Sequence, residues 1–538
     1  MATIVDGAHL DTMHAGDIRG AFGTIAKNDT GSRKGLWAKL VAFAAIVGPG
    51  LIVMVGDNDA GAFSTYTQAG QNYGTTLLWT LLLLVPVLFV NQEMVLRLGA
   101  VTRVGHAKLI LERFGKFWGA FSVIDLFILN ALTIVTEFIG ISLALGYFGV
   151  PKIAGVAVAA VLVMMGAATG SFRRFERFAM LLCFGSLLLI PVFVMVHAPI
   201  GQSTRDFLIP SMPRDSDLGV VMLLIIGIVG TTVAPWQLFF QQSYVIDKRI
   251  TTRWLNYERW DLALGIVFVV LGAFAMFSFT AATFAGHKEF GNFQDAGAVA
   301  AGIAHYVGRL PGDLFALALL DAAIIGAAAV SLSTAYAIGD VMSLNHSLHR
   351  KVGDAPVFYL VYAGLIVVAA TIVLIPGSPL GLLTNAVQVL AGVLLPSATV
   401  FLLLLSNDKA VLGPWANTRR TNIFTGVVIA ALVMLSVVLT AATVFPSIGT
   451  IQILWILGVG AILAVIAGFW MAFVPGDIDY TSFDRSQRHQ WQMPSLSSLP
   501  KVRLSLANRF WLILLRAYLI LAVGLVVFRV ALLALHKG

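Results

Sequence analysis

Charged residues and cysteine are scarce in this chain of 538 residues. Only 12% of the residues are charged, 58% are hydrophobic, and the mean hydropathy is +0.88. An average soluble protein carries about a quarter charged residues, so this composition excludes a soluble enzyme, a disordered scaffold and a nucleic-acid binder. The single cysteine, Cys183, excludes a disulfide framework and a cysteine-based metal cage. The composition indicates a polytopic membrane protein.

Long apolar runs follow one another along most of the chain. A helix of roughly 20 residues crosses the hydrocarbon core of a bilayer, and the runs lack the period-2 alternation of barrel strands. We therefore predict an all-α membrane protein with 12 to 13 transmembrane helices. The expected spans lie near 40–70, 76–96, 117–147, 151–170, 178–200, 218–243, 261–284, 314–342, 356–376, 381–405, 424–445 and 450–474, with a further candidate at 510–534.

Basic residues occupy alternate loops between these spans. Lys and Arg cluster after the even-numbered spans, as in 97–116 and 248–259, whereas the opposite loops are short or mixed in charge. The positive-inside rule then predicts a cytoplasmic N-terminus in the cell inner (plasma) membrane. Five spans followed by five more must have inverted topologies, which is the arrangement of one large class of secondary transporters.

This topology divides the chain into four expected segments. They are a polar cytoplasmic tail (1–36), a transporter domain (37–475), a cytoplasmic linker (476–509) and an additional C-terminal helix (510–538). Within the transporter domain we expect repeat one at about 38–200, repeat two at about 218–406 and extra helices at about 424–475. The final apolar run either spans the membrane or lies on its inner surface as a basic amphipathic helix.

Span 1 is interrupted by polar residues. Asp57, Asn58 and Asp59 lie in the middle of the run, between Gly56 and Gly61. A charged residue at the bilayer centre costs about 2.5–3.5 kcal/mol on insertion scales, and this span offers no basic partner. The glycines let the backbone leave helical geometry and expose its carbonyls as ligands.

Span 6 is interrupted at the matching point of the second repeat. Pro235 cannot donate to the carbonyl four residues earlier, that of Thr231. Thr232 and Gln237 supply side-chain oxygens close by. In transporters built of inverted repeats, paired interruptions of this kind mark a binding site near the bilayer midplane.

Several motifs resemble the NRAMP family of divalent-metal transporters over roughly residues 38–475. They are Gly48-Pro-Gly, Asp59-Ala-Gly-Ala62, Gln71-Asn-Tyr-Gly74, Thr136-Glu-Phe-Ile-Gly140 and Gly230-Thr-Thr-Val-Ala-Pro-Trp236. The resemblance implies a LeuT-like fold with two inverted five-helix repeats and alternating access. It also implies that Asp59 binds metal, that the carbonyls of Gly56 and Thr231 coordinate it, that Gln388 joins the site, and that Glu137 serves in proton movement or gating.

The chain departs from the family pattern at several of these positions. Ala62 stands for the family's asparagine, Ala234 for its methionine, Trp236 and Gln241 for two histidines, and Ile134 for an aspartate of the proton route. With Ala234 in place of methionine, the site lacks the soft thioether ligand and has oxygen donors, which suit Mg²⁺ and Mn²⁺. Such a site resembles that of NRAMP-related magnesium transporters, and the other losses imply weakened or absent proton coupling.

We therefore predict a secondary transporter, not an enzyme, that imports a divalent cation, with Mg²⁺ or Mn²⁺ favoured. The predicted substrate-binding residues are Asp59, Asp57, Asn58, Gly56, Thr231, Thr232, Ala234, Gln237 and Gln388, of which Asp59, Asp57 and Thr231 are the expected metal ligands. The alternative is an importer of a small organic solute, such as an aromatic acid, without metal binding. No cofactor and no nucleic-acid partner are expected. The bilayer is the expected surrounding, and the chain is expected to be a monomer.

Overall fold

A computed structural model describes residues 10–213, 216–377, 380–444, 448–473, 488 and 491–499, together with positions 502, 513, 516, 517, 520 and 524. Twenty α-helices and one two-stranded sheet are present in these parts. Helices α1 to α10 are Leu36–Ile46, Pro49–Val55, Ala60–Tyr73, Trp79–Thr102, His106–Phe114, Lys116–Tyr147, Lys152–Ala167, Phe172–Gly185, Leu189–Val196 and Ile200–Leu208. Helices α11 to α20 are Leu218–Thr232, Pro235–Asp247, Leu255–Phe284, Ala296–Tyr306, Arg309–Met342, Pro356–Val373, Leu380–Ser406, Lys409–Leu412, Arg419–Val444 and Thr450–Phe473.

The predicted all-α architecture is confirmed. Nine spans in the described residues are long and apolar enough to cross a membrane, and the bent pair of α1 and α2 makes a tenth. Two shorter apolar helices, α7 and the described start of α20, lie at the predicted fourth and twelfth spans. Helices dominate because they alone satisfy every backbone polar group within one segment. The candidate span at 510–534 and most of the linker 476–509 lie outside the described residues.

The first predicted span breaks twice, although the sequence pattern indicated a single interruption. The extra break separates α1 from α2 with a bend of 56°. Gly48 has φ 151°, a conformation that favours glycine, and Pro49 begins α2 with its fixed φ. The second break leaves Gly56 to Asp59 outside both flanking helices. The first span is therefore three helical pieces.

The broken helices lie inside the bundle and pack against unbroken ones. Helix α2 packs on α13 and α12, and α3 packs on α13, α11 and α17. Helix α15 runs along α6, and α11 runs along α17. Each break is consequently surrounded by continuous helices, which fix the ends of the interrupted ones in place.

The N-terminal tail folds onto one end of this bundle. A hairpin pairs β1 (Ile18–Arg19) with β2 (Thr24–Ile25). Asp11 accepts hydrogen bonds from the Arg350 guanidinium, with 2.7 Å from Nη2 to Oδ1, and from the backbone N–H of His346 at 2.9 Å. The polar composition of 1–36 predicted a tail, but gave no sign that it docks.

Candidate substrate site at two helix breaks

The break in the first span places three polar residues in the interior. Helix α2 ends at Val55 and α3 begins at Ala60, with Asp59 as its N-cap. The Asp59 Oδ1 accepts a hydrogen bond from the backbone N–H of Ala62 at 2.9 Å. Asp57, Asn58 and Asp59 are all buried. The carboxylate of Asp59 thus satisfies one N–H at the start of α3 and lies at the positive end of its dipole.

The break in the sixth span lies between α11 and α12. Helix α11 ends at Thr232, and α12 begins at Pro235, which has no N–H for the Thr231 carbonyl. The Thr231 hydroxyl finds no hydrogen-bond partner among the described residues. The Thr232 hydroxyl donates to the Ile228 carbonyl at 2.6 Å. Thr231 therefore offers the open oxygens at this break, whereas Thr232 is already engaged.

Side-chain hydrogen bonds join the two breaks. The Gln237 amide nitrogen donates to Asp57 Oδ1, and the Gln237 oxygen accepts from Gln92 Nε2 at 2.9 Å. The hydroxyls of Tyr66 and Thr232 lie 2.7 Å apart and link α3 to α11. The predicted pairing of spans 1 and 6 thus exists as direct contact between their interruptions.

Glu137 on α6 reaches the start of α3. Its Oε2 accepts a hydrogen bond from the backbone N–H of Ala60 at 3.1 Å. Helix α15 packs against the same place, and Gly326 lies at the contact. A Cβ on Gly326 would lie 2.6 Å from Glu137 Oε2 and 3.0 Å from the Asp59 Cβ. Glu137 and Asp59 therefore meet where α3, α6 and α15 come together.

Helix α17 supplies the remaining wall of the site. The Gln388 amide nitrogen lies against Gly61, where a Cβ would collide with it, and no described residue accepts a hydrogen bond from that nitrogen. One turn earlier, Asn385 accepts from the Ser64 hydroxyl at 3.1 Å. Gln388 is thus held beside the first turn of α3, with its amide free to turn toward the breaks.

Other predicted site residues have different positions. The Asn58 amide nitrogen donates to the Val269 carbonyl of α13 at 3.1 Å, so this side chain ties the break to α13. Gly56 is the C-cap of α2 and faces the Trp236 ring. Ala234 is the N-cap of α12, and its carbonyl accepts from the Gln237 N–H at 3.2 Å. The hydrogen bond to Val269 uses only the amide nitrogen of Asn58 and leaves its Oδ1 without a partner among the described residues.

The site is acidic and contains unpaired oxygen atoms. Asp57, Asp59 and Glu137 are buried and form no ion pair with any described Lys or Arg. In the part of the chain that the structure covers, Asp57 Oδ2, Asn58 Oδ1 and Gln92 Oε1 lack hydrogen-bond partners, as does the Thr231 hydroxyl. Buried polar atoms are nearly always satisfied, so these oxygens are left for water or for a ligand. No group of three or more His, Cys, Asp or Glu residues that could hold a metal ion is found among the described residues.

Three residues that shape the candidate site were not among the predicted ligands. Gln92 forms the outer link of the Asp57–Gln237 chain, Tyr66 joins the breaks, and Gly326 lets α15 approach Glu137. A polar residue within an apolar span is a sequence signal for Gln92 and Tyr66. Gly326 carries no such signal, because its role depends on which helix packs beside it.

Two broken helices that meet at buried acids inside a bundle of continuous ones define a membrane transporter with a LeuT-like fold, built of two inverted five-helix repeats. The model of the natural resistance-associated macrophage protein-like family matches residues 50–442. The chain belongs to this family, NRAMP, and is a transporter, not an enzyme.

Individual relatives agree with this assignment. The chain is 30% identical over 405 residues to the divalent metal cation transporter MntH of Ralstonia nicotianae, covering 72% of this chain and 88% of the relative. It is 26% identical over 427 residues to MntH of Staphylococcus aureus, covering 74% and 92%. A solved structure of the Eremococcus coleocola manganese transporter has a TM-score of 0.61 at 21% identity, covering 82% of this chain and 95% of that one.

Proposed function

We propose that the protein imports a divalent metal cation by alternating access. The observation that carries this proposal is the cluster of unpaired oxygens beside Asp57 and Asp59, at the point where both broken spans meet. Two buried carboxylates without a basic partner favour a cation over an anion. The names of the MntH relatives, divalent metal cation transporters, support the same substrate class.

Mg²⁺ or Mn²⁺ is the proposed cargo. The nearby donors are carboxylate, carbonyl, amide and hydroxyl oxygens, and Ala234 stands where the family has a thioether ligand. Oxygen donors suit hard cations, and Mg²⁺ usually keeps several of its waters. We propose Asp59, Asp57 and the Thr231 carbonyl as direct ligands, with Gln237 and Gln388 positioned to bind waters of the ion.

We propose that proton coupling is weakened or absent. The positions of two family histidines and of one aspartate hold Trp236, Gln241 and Ile134, whose side chains do not gain or lose a proton in the ordinary pH range. Glu137 is the acid that remains on this route. Its hydrogen bond to Ala60 ties it to the helix capped by Asp59, so its proposed role is to sense or gate occupation of the site.

The proposed orientation places the N-terminus in the cytoplasm and the chain in the plasma membrane. Support comes from the basic loops on the same side as the tail, which follow the positive-inside rule. We also propose the division into four segments that the sequence predicts, and a monomeric chain. On this orientation the docked tail closes the cytoplasmic end of the bundle.

The experiment is uptake by proteoliposomes loaded with the full-length chain. We expect saturable uptake of Mg²⁺ and Mn²⁺, and uptake at background level for Asp59→Ala. Asp321→Ala, which removes a carboxylate from α15 outside the site, is the matched control and is expected to transport. Normal uptake by Asp59→Ala would refute the site assignment.

The same assay tests an organic substrate. The buried Trp236 indole nitrogen lies beside the break in the sixth span and donates to no described acceptor, so it is available to a carboxylate. Uptake of small aromatic acids without metal uptake would favour this second candidate. Uptake of neither substrate would exclude both.

A further inference from the structure

A second charged cavity lies at one end of the bundle, away from the helix breaks. It has a volume of about 360 Å³ and opens between α4, the first turns of α13 and the segment before α19. Its walls include Glu93, Arg97, Arg259, Trp415, Thr418 and Arg488. Among the described residues that line the cavity, three arginines and one glutamate give a net positive charge.

The Glu93 carboxylate, the one acidic group among the described lining residues, is shared by two of the arginines. Arg259 Nη2 lies 2.6 Å from Glu93 Oε1, and Arg97 Nη2 lies 3.2 Å from Glu93 Oε2. Arg97 is buried, and its Nε has no partner within the described residues. Arg488 lies over the Trp415 ring, 4.9 Å from its centre. Glu93 neutralises one positive charge and leaves two for an anion.

A lipid-facing stripe leads into the cavity along α13. Trp260, next to Arg259, is 71% exposed, and Leu264, Val267 and Leu271 continue the exposed apolar face at helical spacing. Tryptophan prefers the membrane interface. The arginines therefore lie at the headgroup level, and the apolar stripe runs from there into the hydrocarbon region.

We propose that this cavity binds the phosphate of an anionic phospholipid, whose acyl chains lie along the Trp260–Leu271 stripe. Guanidinium groups match phosphate oxygens in geometry and charge, and basic pockets between membrane helices on the cytoplasmic side suit anionic headgroups. The choice of leaflet rests on the proposed orientation. Headgroup binding itself does not require that the proposed cation site be right, because it uses none of the residues of that site.

The test is the thermal unfolding midpoint of the full-length chain in detergent with added lipid. Dioleoyl phosphatidylglycerol is the probe, and dioleoyl phosphatidylcholine, with the same chains, is its neutral match. We expect stabilisation by the first lipid alone. Arg259→Gln combined with Arg488→Gln should weaken the phosphatidylglycerol affinity by about 30-fold, on the scale of about 1 kcal/mol per arginine near a lipid surface. Arg309→Gln, whose side chain is 92% exposed, is the control.

A second variant covers the case in which the double variant does not fold. Thr418→Asp keeps an oxygen for the Thr421 N–H that Thr418 now serves, and adds a negative charge to the cavity wall. It should lower phosphatidylglycerol affinity about fivefold. Equal stabilisation by both lipids, or unchanged binding by Thr418→Asp, would overturn the proposal. Equal stabilisation by inorganic phosphate would overturn the assignment to a lipid.

Discussion

The Asp59 carboxylate has two neighbours at the start of α3. Its carboxylate caps α3 through the N–H of Ala62, and the same group faces Glu137 across the start of that helix. Asp57, two residues earlier, keeps one oxygen bonded to Gln237 and the other without a partner in the described residues. One acid therefore stabilises the broken helix, while its neighbour keeps an unpartnered oxygen that the proposed cation can bind.

Ala234→Met tests the proposed selectivity. A thioether at the start of α12 adds a soft ligand, so uptake is expected to shift toward Mn²⁺ and Cd²⁺ relative to Mg²⁺. Competition between these ions in proteoliposomes measures the shift. Ala157→Met, on the exposed face of α7, should leave the preference unchanged. No shift in Ala234→Met would count against an oxygen-only site.

Gly326→Ala tests the contact between α15 and Glu137. The new methyl group would lie 2.6 Å from Glu137 Oε2, so the carboxylate must move away from Ala60. We expect uptake to fall severalfold and the protein to lose about 1–3 kcal/mol of stability. Gly364→Ala, which meets no atom within 4 Å, is the control. Equal uptake by both variants would show that this contact is unimportant.

The sequence predicted which polar residues meet at the helix breaks better than it predicted the directions of their side chains. Asp57, Asp59, Gln237 and Glu137 were found because polar groups within apolar spans are costly, and the structure brings them together. Asn58 was grouped with them, yet its amide nitrogen binds α13. Which way a side chain points depends on the local backbone break, and no periodicity describes that.

At the scale of the element, the first and sixth spans are both interrupted, but different residues interrupt them. Gly56 and Asp59 bound the break in the first span, whereas Pro235 begins a new helix in the sixth. Pro235 was predictable from its missing N–H. The further break at Gly48 was not, although its Gly-Pro pair was visible, because such pairs also occur at ordinary helix ends.

Pro235→Ala restores an N–H that can donate to the Thr231 carbonyl. The hydrogen bond would compete with the cation for that oxygen, so we expect a severalfold higher KM for uptake with correct membrane insertion. Pro86→Ala, within the lipid-exposed part of α4, also removes a proline from a span but lies outside the site. A KM equal to that of Pro86→Ala would contradict a role for the carbonyl.

Two buried histidines meet where the tail docks, His14 of the tail and His346 after α15, and their pKa values shift in opposite directions. Burial opposes the charged form of His346, but the Asp340 carboxylate, 3.0 Å away, outweighs it and raises the pKa to about 9. Burial lowers the pKa of His14 to about 4, although Asp247 lies 3.6 Å away. The free groups titrate near 6.5. Because the pair of His346 and Asp340 lies within the bundle and does not include the tail, the pH dependence of docking comes from His14, and docking should weaken as the pH falls from 6.5 to 4.

A nitroxide attached at Ala26→Cys, an exposed position beside β2, reports this docking. Its mobility should be low near pH 6.5 and should rise as the pH falls toward 4. In a His14→Gln background this acidic increase should disappear, whereas in a His346→Gln background it should persist. An unchanged acidic increase in the His14→Gln background would show that another group is responsible.

At the scale of the whole molecule, composition and hydrophobic periodicity predicted the bilayer and a helix at each of the first twelve expected spans, because each apolar run must become a helix. They did not predict the docking of the tail, in which Arg173 donates to the Gly20 carbonyl at 3.0 Å and Arg177 to the Ala21 carbonyl at 3.0 Å. Both arginines follow the fourth predicted span, where the positive-inside rule alone accounts for basic residues. Contacts between distant segments leave no local pattern in the sequence.

The proposed function requires that a divalent cation binds where the two broken spans meet. Calorimetric titration of the full-length chain with Mg²⁺ and Mn²⁺ tests it most directly when the wild type is compared with Asp59→Asn. Asparagine caps a helix about as well as aspartate, so the variant loses the charge and keeps the fold. We predict saturable binding in the wild type and in the Asp321→Asn control, and none in Asp59→Asn. Binding by Asp59→Asn that equals the wild type would contradict the claim.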